Sequence, residues 1–123
     1  MNILIVDDIV LNRYLLKELT KKMNVDIFEA NNGREAIDII QNNEINMVLM
    51  DIEMPVMNGI ETTDYIRNEL HLSESKLPVI AITAHINEYL GESLDTVGFN
   101  EIITKPYTPD QIINIISKNR DNR

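Results

Sequence analysis

The chain has no cysteine, so neither a disulfide framework nor a thiolate metal site is available to it. It is short of cations: 11 Lys and Arg stand against 20 Asp and Glu, a formal net charge of −9. A surface of that sign is repelled by phosphate backbones, so direct nucleic-acid binding is not expected. No apolar run approaches the roughly 20 residues of a membrane span. The N-terminus passes from Met1-Asn2 straight into an apolar tetrad, with no basic segment ahead of a longer apolar stretch. It reads as a strand and not as a signal peptide, and a cytoplasmic location is expected. Internal repeats, low-complexity tracts and linkers are also missing, and 123 residues leave room for one domain with a real core, not two.

What is present is a set of four short apolar runs, each stopping at polar chemistry. Ile3-Leu4-Ile5-Val6 ends in Asp7-Asp8, and Met47-Val48-Leu49-Met50 ends in Asp51. Val79-Ile80-Ala81-Ile82 ends in Thr83-Ala84, and Ile102-Ile103 runs into Thr104-Lys105-Pro106. A continuous apolar run of this length, bounded by turn signals, fits a strand buried on both faces of a parallel sheet. Val25-Asp26-Ile27-Phe28-Glu29 alternates instead and reads as a half-exposed edge strand.

Helical spacing fills the intervals. Leu11, Tyr14, Leu15, Leu19 and Met23 predict one core-facing stripe on a helix over 9–23. Asn32 and Glu35 start a second helix that buries Ala36, Ile37 and Ile40. A third over 59–70 turns Ile60, Thr63, Ile66 and Leu70 inward, and 71–76 reads as a polar connection. Ile86, Tyr89, Leu90 and Leu94 outline a weaker helix that Gly91 loosens. Thr108-Pro109-Asp110-Gln111 then opens the last one, with Ile112, Ile113 and Ile116 buried. The domain is expected over 1–119, with a polar tail over 120–123.

Strand and helix alternate five times, which gives a doubly wound α/β domain with parallel strands and right-handed crossovers. Strand order does not follow from the pattern alone. Open sheets of this class carry their chemistry at the carboxyl ends of the strands. If the strands are parallel neighbours, the carboxylates of Asp7, Asp8 and Asp51, the Thr83 hydroxyl and the Lys105 ammonium converge on one edge. Carboxylates packed so closely raise one another's pKa unless a cation joins them. An all-oxygen set, with no His or Cys nearby in sequence, points to Mg²⁺ or a similar hard ion. Pro55 and Gly59 equip the following loop to turn sharply over Asp51.

The ordered set Asp7-Asp8, Asp51-x-x-Met54-Pro55-x-Met57-Asn58-Gly59, Thr83-Ala84 and Lys105-Pro106 resembles the receiver domain of two-component response regulators along essentially the whole chain. The resemblance implies a flavodoxin-like five-stranded sheet of order 2-1-3-4-5, with Asp7, Asp8 and Asp51 on adjacent strands. It implies a phosphoacceptor that takes a phosphoryl group on Asp51 from a histidine kinase or histidine phosphotransfer protein and then switches the binding of a downstream protein. Such a protein is not a turnover enzyme on an external substrate. Asp8, Asp7, Asp51 and the backbone carbonyl of Glu53 are the implied Mg²⁺ ligands. Lys105 is assigned to neutralise a phosphoryl oxygen, and Thr83 to donate its hydroxyl to another. A cis Lys105-Pro106 bond and a monomer are also expected.

Two other chemistries share parts of this pattern. A haloacid-dehalogenase-type phosphatase needs a second Asp two residues after the first, where this chain has Glu53, and usually a cap domain as well. A flavodoxin-like electron carrier needs a Ser/Thr/Gly-rich loop where Asp7-Asp8-Ile9-Val10 stands. A receiver serving as an unphosphorylated binding module is the third alternative. The chain departs from the family at Ile9, where a polar residue is common, and at Ile102, where Tyr or Phe is common; Ile102 is expected to mute the switch. Glu53 and His85 are expected to flank the site mouth and slow hydrolysis. Acidic Glu88, Glu92, Asp95 and Glu101 are expected to disfavour a dimer on their face. No output domain is expected after the last helix within these residues, as in a stand-alone receiver or a piece of a longer protein. The stretches Asp8-Ile9-Val10-Leu11-Asn12-Arg13 and Ile82-Thr83-Ala84-His85 look closest to receivers of hybrid kinases and phosphorelays.

Overall fold

The computed structural model describes residues 1–84 and 96–121. The helix expected over 86–94, together with His85, Glu88, Glu92 and Asp95, lies outside the described residues. The elements in chain order are β1 (Asn2–Val6), α1 (Val10–Thr20), β2 (Asp26–Ala30), α2 (Gly33–Asn42), β3 (Met47–Asp51) and α3 (Gly59–Glu69). They continue with α4 (Leu72–Ser75), β4 (Val79–Thr83), β5 (Glu101–Thr104) and α5 (Pro109–Asp121). The five strands form one sheet of order β2-β1-β3-β4-β5, and every pairing is parallel.

The continuous apolar runs are explained by burial on both sides. Every residue of β3 and β4 is buried, whereas β2 at the sheet edge is half exposed. Because strand side chains alternate, the sheet feeds two cores. Ile3, Ile5, Met47, Leu49, Ile80 and Ile82 pack with Leu16 of α1 and Ile112 and Ile116 of α5. Leu4, Val6, Val48, Met50 and Val79 pack with Ala36 and Ile40 of α2 and Ile66 of α3. Among the described residues, no helix is long and apolar enough to cross a membrane.

Helix starts follow local chemistry. Asn32 accepts from the Glu35 backbone N–H at 3.0 Å, and Thr108 with Gln111 closes a reciprocal pair around Pro109. Helix α1 corrects the expected stripe: its buried residues are Arg13, Leu16 and Thr20. Leu11, Tyr14 and Leu15 are exposed by 61%, 53% and 48%, and only Leu19 and Met23 of that stripe pack partly against the core. This helix is apolar around much of its circumference, so spacing did not single out the inward side. Two smaller differences follow from backbone partners. The connection over 71–76 contains the short α4, whose Ser75 carbonyl accepts from Arg67 at 3.0 Å. Helix α5 runs to Asp121, into the stretch read as a tail, and Arg120 donates to the Met23 carbonyl at 2.7 Å.

Candidate functional site

Strand register assembles the site. Val6 pairs with Met50 and Asp51 with Ile82, so the residues leaving β1, β3 and β4 emerge side by side. Thr83 pairs with Thr104, which brings Lys105 to the same edge, and the Lys105 N–H donates to the Thr83 carbonyl at 2.8 Å. The Lys105-Pro106 bond is cis, as expected. Asp7 and Asp51 are buried and Asp8 is exposed, and one ligand atom from each lies within 4.8 Å of the other two. Lys105 Nζ stands 3.5 Å from Asp51 Oδ1 and 3.9 Å from Asp7 Oδ2. Glu53 Oε1 accepts the Thr83 hydroxyl at 2.7 Å. All six sequence-derived residues therefore meet at one sheet edge.

Electrostatics there are unbalanced. Burial, the neighbouring Asp7 and then Glu53 push Asp51 up from 3.8 to about 7, against the opposing pull of Lys105. Several carboxylates with one ammonium beside them form a donor set that fits a hard divalent cation, because all the donors are oxygens and negative charge is in excess. Asp7 is already partly committed: its Oδ1 accepts from the Ile9 N–H at 2.9 Å, at the entry to α1.

The loop after Asp51 is built around close backbone approach. A Cβ on Gly59 would stand 2.5 Å from the Asp51 carbonyl oxygen and 2.9 Å from Ile52 Cα, so only glycine fits. The Gly59 N–H donates to the Ile52 carbonyl at 2.9 Å, folding the loop back on the strand end. Within that loop Val56 has φ 70°, a left-handed conformation rare for a β-branched residue, and Met57 N–H donates to the Pro55 carbonyl across it. The Met57 carbonyl in turn accepts from Gly33 N–H at 3.1 Å, which ties the loop to the start of α2.

Sequence reasoning missed two contributors. Arg13 is buried, donates to the Asp7 carbonyl at 2.6 Å and pairs with Glu29 of β2 at 3.0 Å. Its residue type alone gives no signal, because α1 also carries Asn12, Lys17 and Glu18. Tyr107 lines a cavity of about 740 Å³ between α1 and α5, together with Leu15, Leu16 and Leu19, and with Asp7, Asp51 and Lys105 at its polar end. Glu101 is also less isolated than expected, since Lys118 of α5 pairs with it at 3.5 Å.

Residues 3–117 match the family model described as response regulator receiver domain. A polar-differentiation response regulator, DivK of Brucella anthropi, is 30% identical over 94% of this chain and 92% of its own length. The sensor protein GacS of Pseudomonas syringae pv. syringae is 32% identical over 94% of this chain; the chain spans only 13% of that protein. Among solved structures, the receiver domain of a LuxO-type repressor protein from Vibrio parahaemolyticus matches with TM-score 0.87 and 26% identity, covering 98% of this chain and 90% of that one. The receiver of sensor histidine kinase PA1611 from Pseudomonas aeruginosa, solved with a magnesium ion in its active-site cleft, matches with TM-score 0.85. At 23% identity over 95% of this chain and 94% of that one, its likeness speaks for the fold.

Proposed function

This chain belongs to the response regulator receiver domains, which are signalling domains and not turnover enzymes, and on that premise we propose that it accepts a phosphoryl group on Asp51. The observation that carries this reading is the buried Asp51 carboxyl at the end of a central strand, with Lys105 Nζ 3.5 Å away and two further carboxylates beside it.

In the proposed reaction an Asp51 oxygen forms a bond to phosphorus as the P–N bond of a phosphohistidine breaks. The electrons of that bond go to the departing ring nitrogen, which takes up a proton. Transfer of this kind asks the protein mainly for position and for positive charge around the equatorial oxygens. Lys105 supplies one such charge, and Thr83 supplies a hydroxyl donor to another oxygen. Asp8, Asp7, Asp51 and the Glu53 backbone carbonyl would hold Mg²⁺, which supplies charge neutralisation at the phosphoryl oxygens when bound. Arg13 keeps the end of β1 in place through the Asp7 carbonyl.

The proposed donor is a histidine kinase or histidine phosphotransfer protein, in keeping with the kinases among the relatives. Its landing surface is the exposed apolar group Ile9, Val10, Leu11 and Tyr14 beside the site. The protein acts in this reading as a cytoplasmic monomer that recognises proteins and not nucleic acid, in line with its net charge of −9. The test is intact-mass labelling by acetyl phosphate, with and without EDTA. The expected adduct requires Mg²⁺ and is lost in Asp51→Asn; an unchanged adduct in that variant would overturn the assignment.

A further inference from the structure

A hydroxyl carries one proton and serves one acceptor at a time. Thr83 is fully buried at the end of β4, and its hydroxyl is donated to Glu53 Oε1 at 2.7 Å. The register makes this contact. The β3–β4 ladder continues one residue past Asp51, with Ile52 N–H donating to the Ile82 carbonyl at 3.3 Å. Gly59 N–H then holds the Ile52 carbonyl at 2.9 Å, so Glu53 leaves the ladder directly beside Thr83. A hydrogen bond from a hydroxyl to a carboxylate is among the stronger kinds. Thr83 has a further interaction as well, and toward Glu53 its hydroxyl is the donor.

We propose that Glu53 is a positioning residue that latches Thr83: its carboxylate holds the hydroxyl in the resting protein and competes with an incoming phosphoryl oxygen for the same proton. The inference rests on the phosphoacceptor reading of Asp51 and assigns Glu53 a side-chain role separate from its backbone carbonyl. Activation then has two parts, arrival of the phosphoryl group and release of Thr83 from Glu53. The latch biases the protein toward its resting state by the strength of one bond, and a phosphoryl mimic binds more weakly by the same factor.

The experiment is a double-mutant cycle read by beryllofluoride affinity in the presence of Mg²⁺, using the parent, Glu53→Gln, Glu53→Ala, Thr83→Ala and the Glu53→Ala/Thr83→Ala pair. Glu53→Ala is expected to bind beryllofluoride about tenfold tighter than the parent, with Glu53→Gln in between. In the Thr83→Ala background removal of Glu53 is expected to give a clearly smaller gain, the part owed to its charge alone, because no hydroxyl is left to release. An equal gain in both backgrounds would mean that Glu53 acts only through its charge, and no gain in either would leave nothing for a latch to do; both results overturn the proposal. NMR couplings that report the Thr83 side-chain rotamer in the free protein give an independent reading. The rotamer is expected to change in Glu53→Ala, and an unchanged rotamer refutes the latch. Absence of Asp51-dependent beryllofluoride binding in the parent would instead refute the phosphoacceptor reading, with the rotamer measurement still deciding the latch.

Discussion

Lys105 Nζ lies 3.5 Å from Asp51 Oδ1, yet this ammonium does not bring the carboxyl back to its ordinary range. Burial and the adjacent Asp7 outweigh it, and Asp51 titrates near 7 instead of 3.8. Between those two values the folded protein holds a proton that the unfolded chain has released. The contribution of Asp51 to stability is therefore full at low pH and is lost as pH rises through about 7. Without divalent metal, Asp51→Asn is expected to melt higher than the parent at about pH 8 and level with it at about pH 4. Added Mg²⁺ is expected to raise the melting temperature of the parent at about pH 8 and to do far less for Asp51→Asn and Asp8→Ala. Thermal melts across pH in EDTA and in Mg²⁺ check this, and a parent whose stability rises between pH 4 and pH 7 relative to the Asn variant would contradict it.

Gly59 is the second sensitive point. A methyl group there meets the Asp51 carbonyl at 2.5 Å, and backbone has little freedom to retreat. Gly59→Ala is expected to cost roughly 1–3 kcal/mol, as overpacking does, and to shift the Asp51 and Ile52 amide resonances. Urea unfolding with a proton–nitrogen spectrum measures both; a neutral substitution with an unmoved spectrum would show that the loop has slack.

Arg13 and Lys17 share Glu29 but sit in different surroundings. The Arg13 side chain is 10% exposed and also donates to the Asp7 carbonyl, whereas Lys17 is 45% exposed. Arg13→Ala leaves a buried carbonyl without this donor and is expected to cost roughly 2–3 kcal/mol, along with weaker Mg²⁺ binding. Lys17→Ala is expected to cost less than about 1 kcal/mol. Equal costs for the two would remove Arg13 from the support of the site.

The proposed docking face on the outside of α1 can be tested apart from the chemistry. Leu11 and Tyr14 are more than half exposed, so charge or truncation there removes little packing. Leu11→Asp with Tyr14→Ala is expected to leave acetyl phosphate labelling of Asp51 intact. Transfer from a phosphorylated histidine phosphotransfer protein is expected to slow by about tenfold or more, as loss of an aromatic anchor does at an interface. Equal slowing of both donors would place the effect at the site and not at the docking surface.

Burial made the central strands legible in the sequence. A strand covered on both faces has to be apolar throughout, so β1, β3 and β4 are written as unbroken runs with their polar residues at the ends. The helix starts at Asn32 and Thr108 were legible because each cap is a contact between residues three apart. The identities of Asp7, Asp8, Asp51, Thr83 and Lys105 could be read for the same reason, since chemistry at a strand end interrupts a local pattern, whereas Glu53 entered through the family resemblance alone.

The facing of α1 was not local. A helix apolar around much of its girth offers several stripes, and only the sheet, with Arg13 reaching the Asp7 carbonyl and Glu29, selects the inward one. Strand order was likewise open in the pattern, because parallel strands pair across crossovers whose sequence does not encode their neighbour. The sequence by itself determined the five strands, the helices α1, α2, α3 and α5, and the polar side chains at the strand ends, while the short α4 was not legible in it. The tertiary structure decided that Glu53 meets Thr83, 30 residues away, and that Lys105 meets Asp51, 54 residues away. Both contacts depend on strand register, and register is set by packing two cores against one twisted sheet, not by any residue's immediate neighbours.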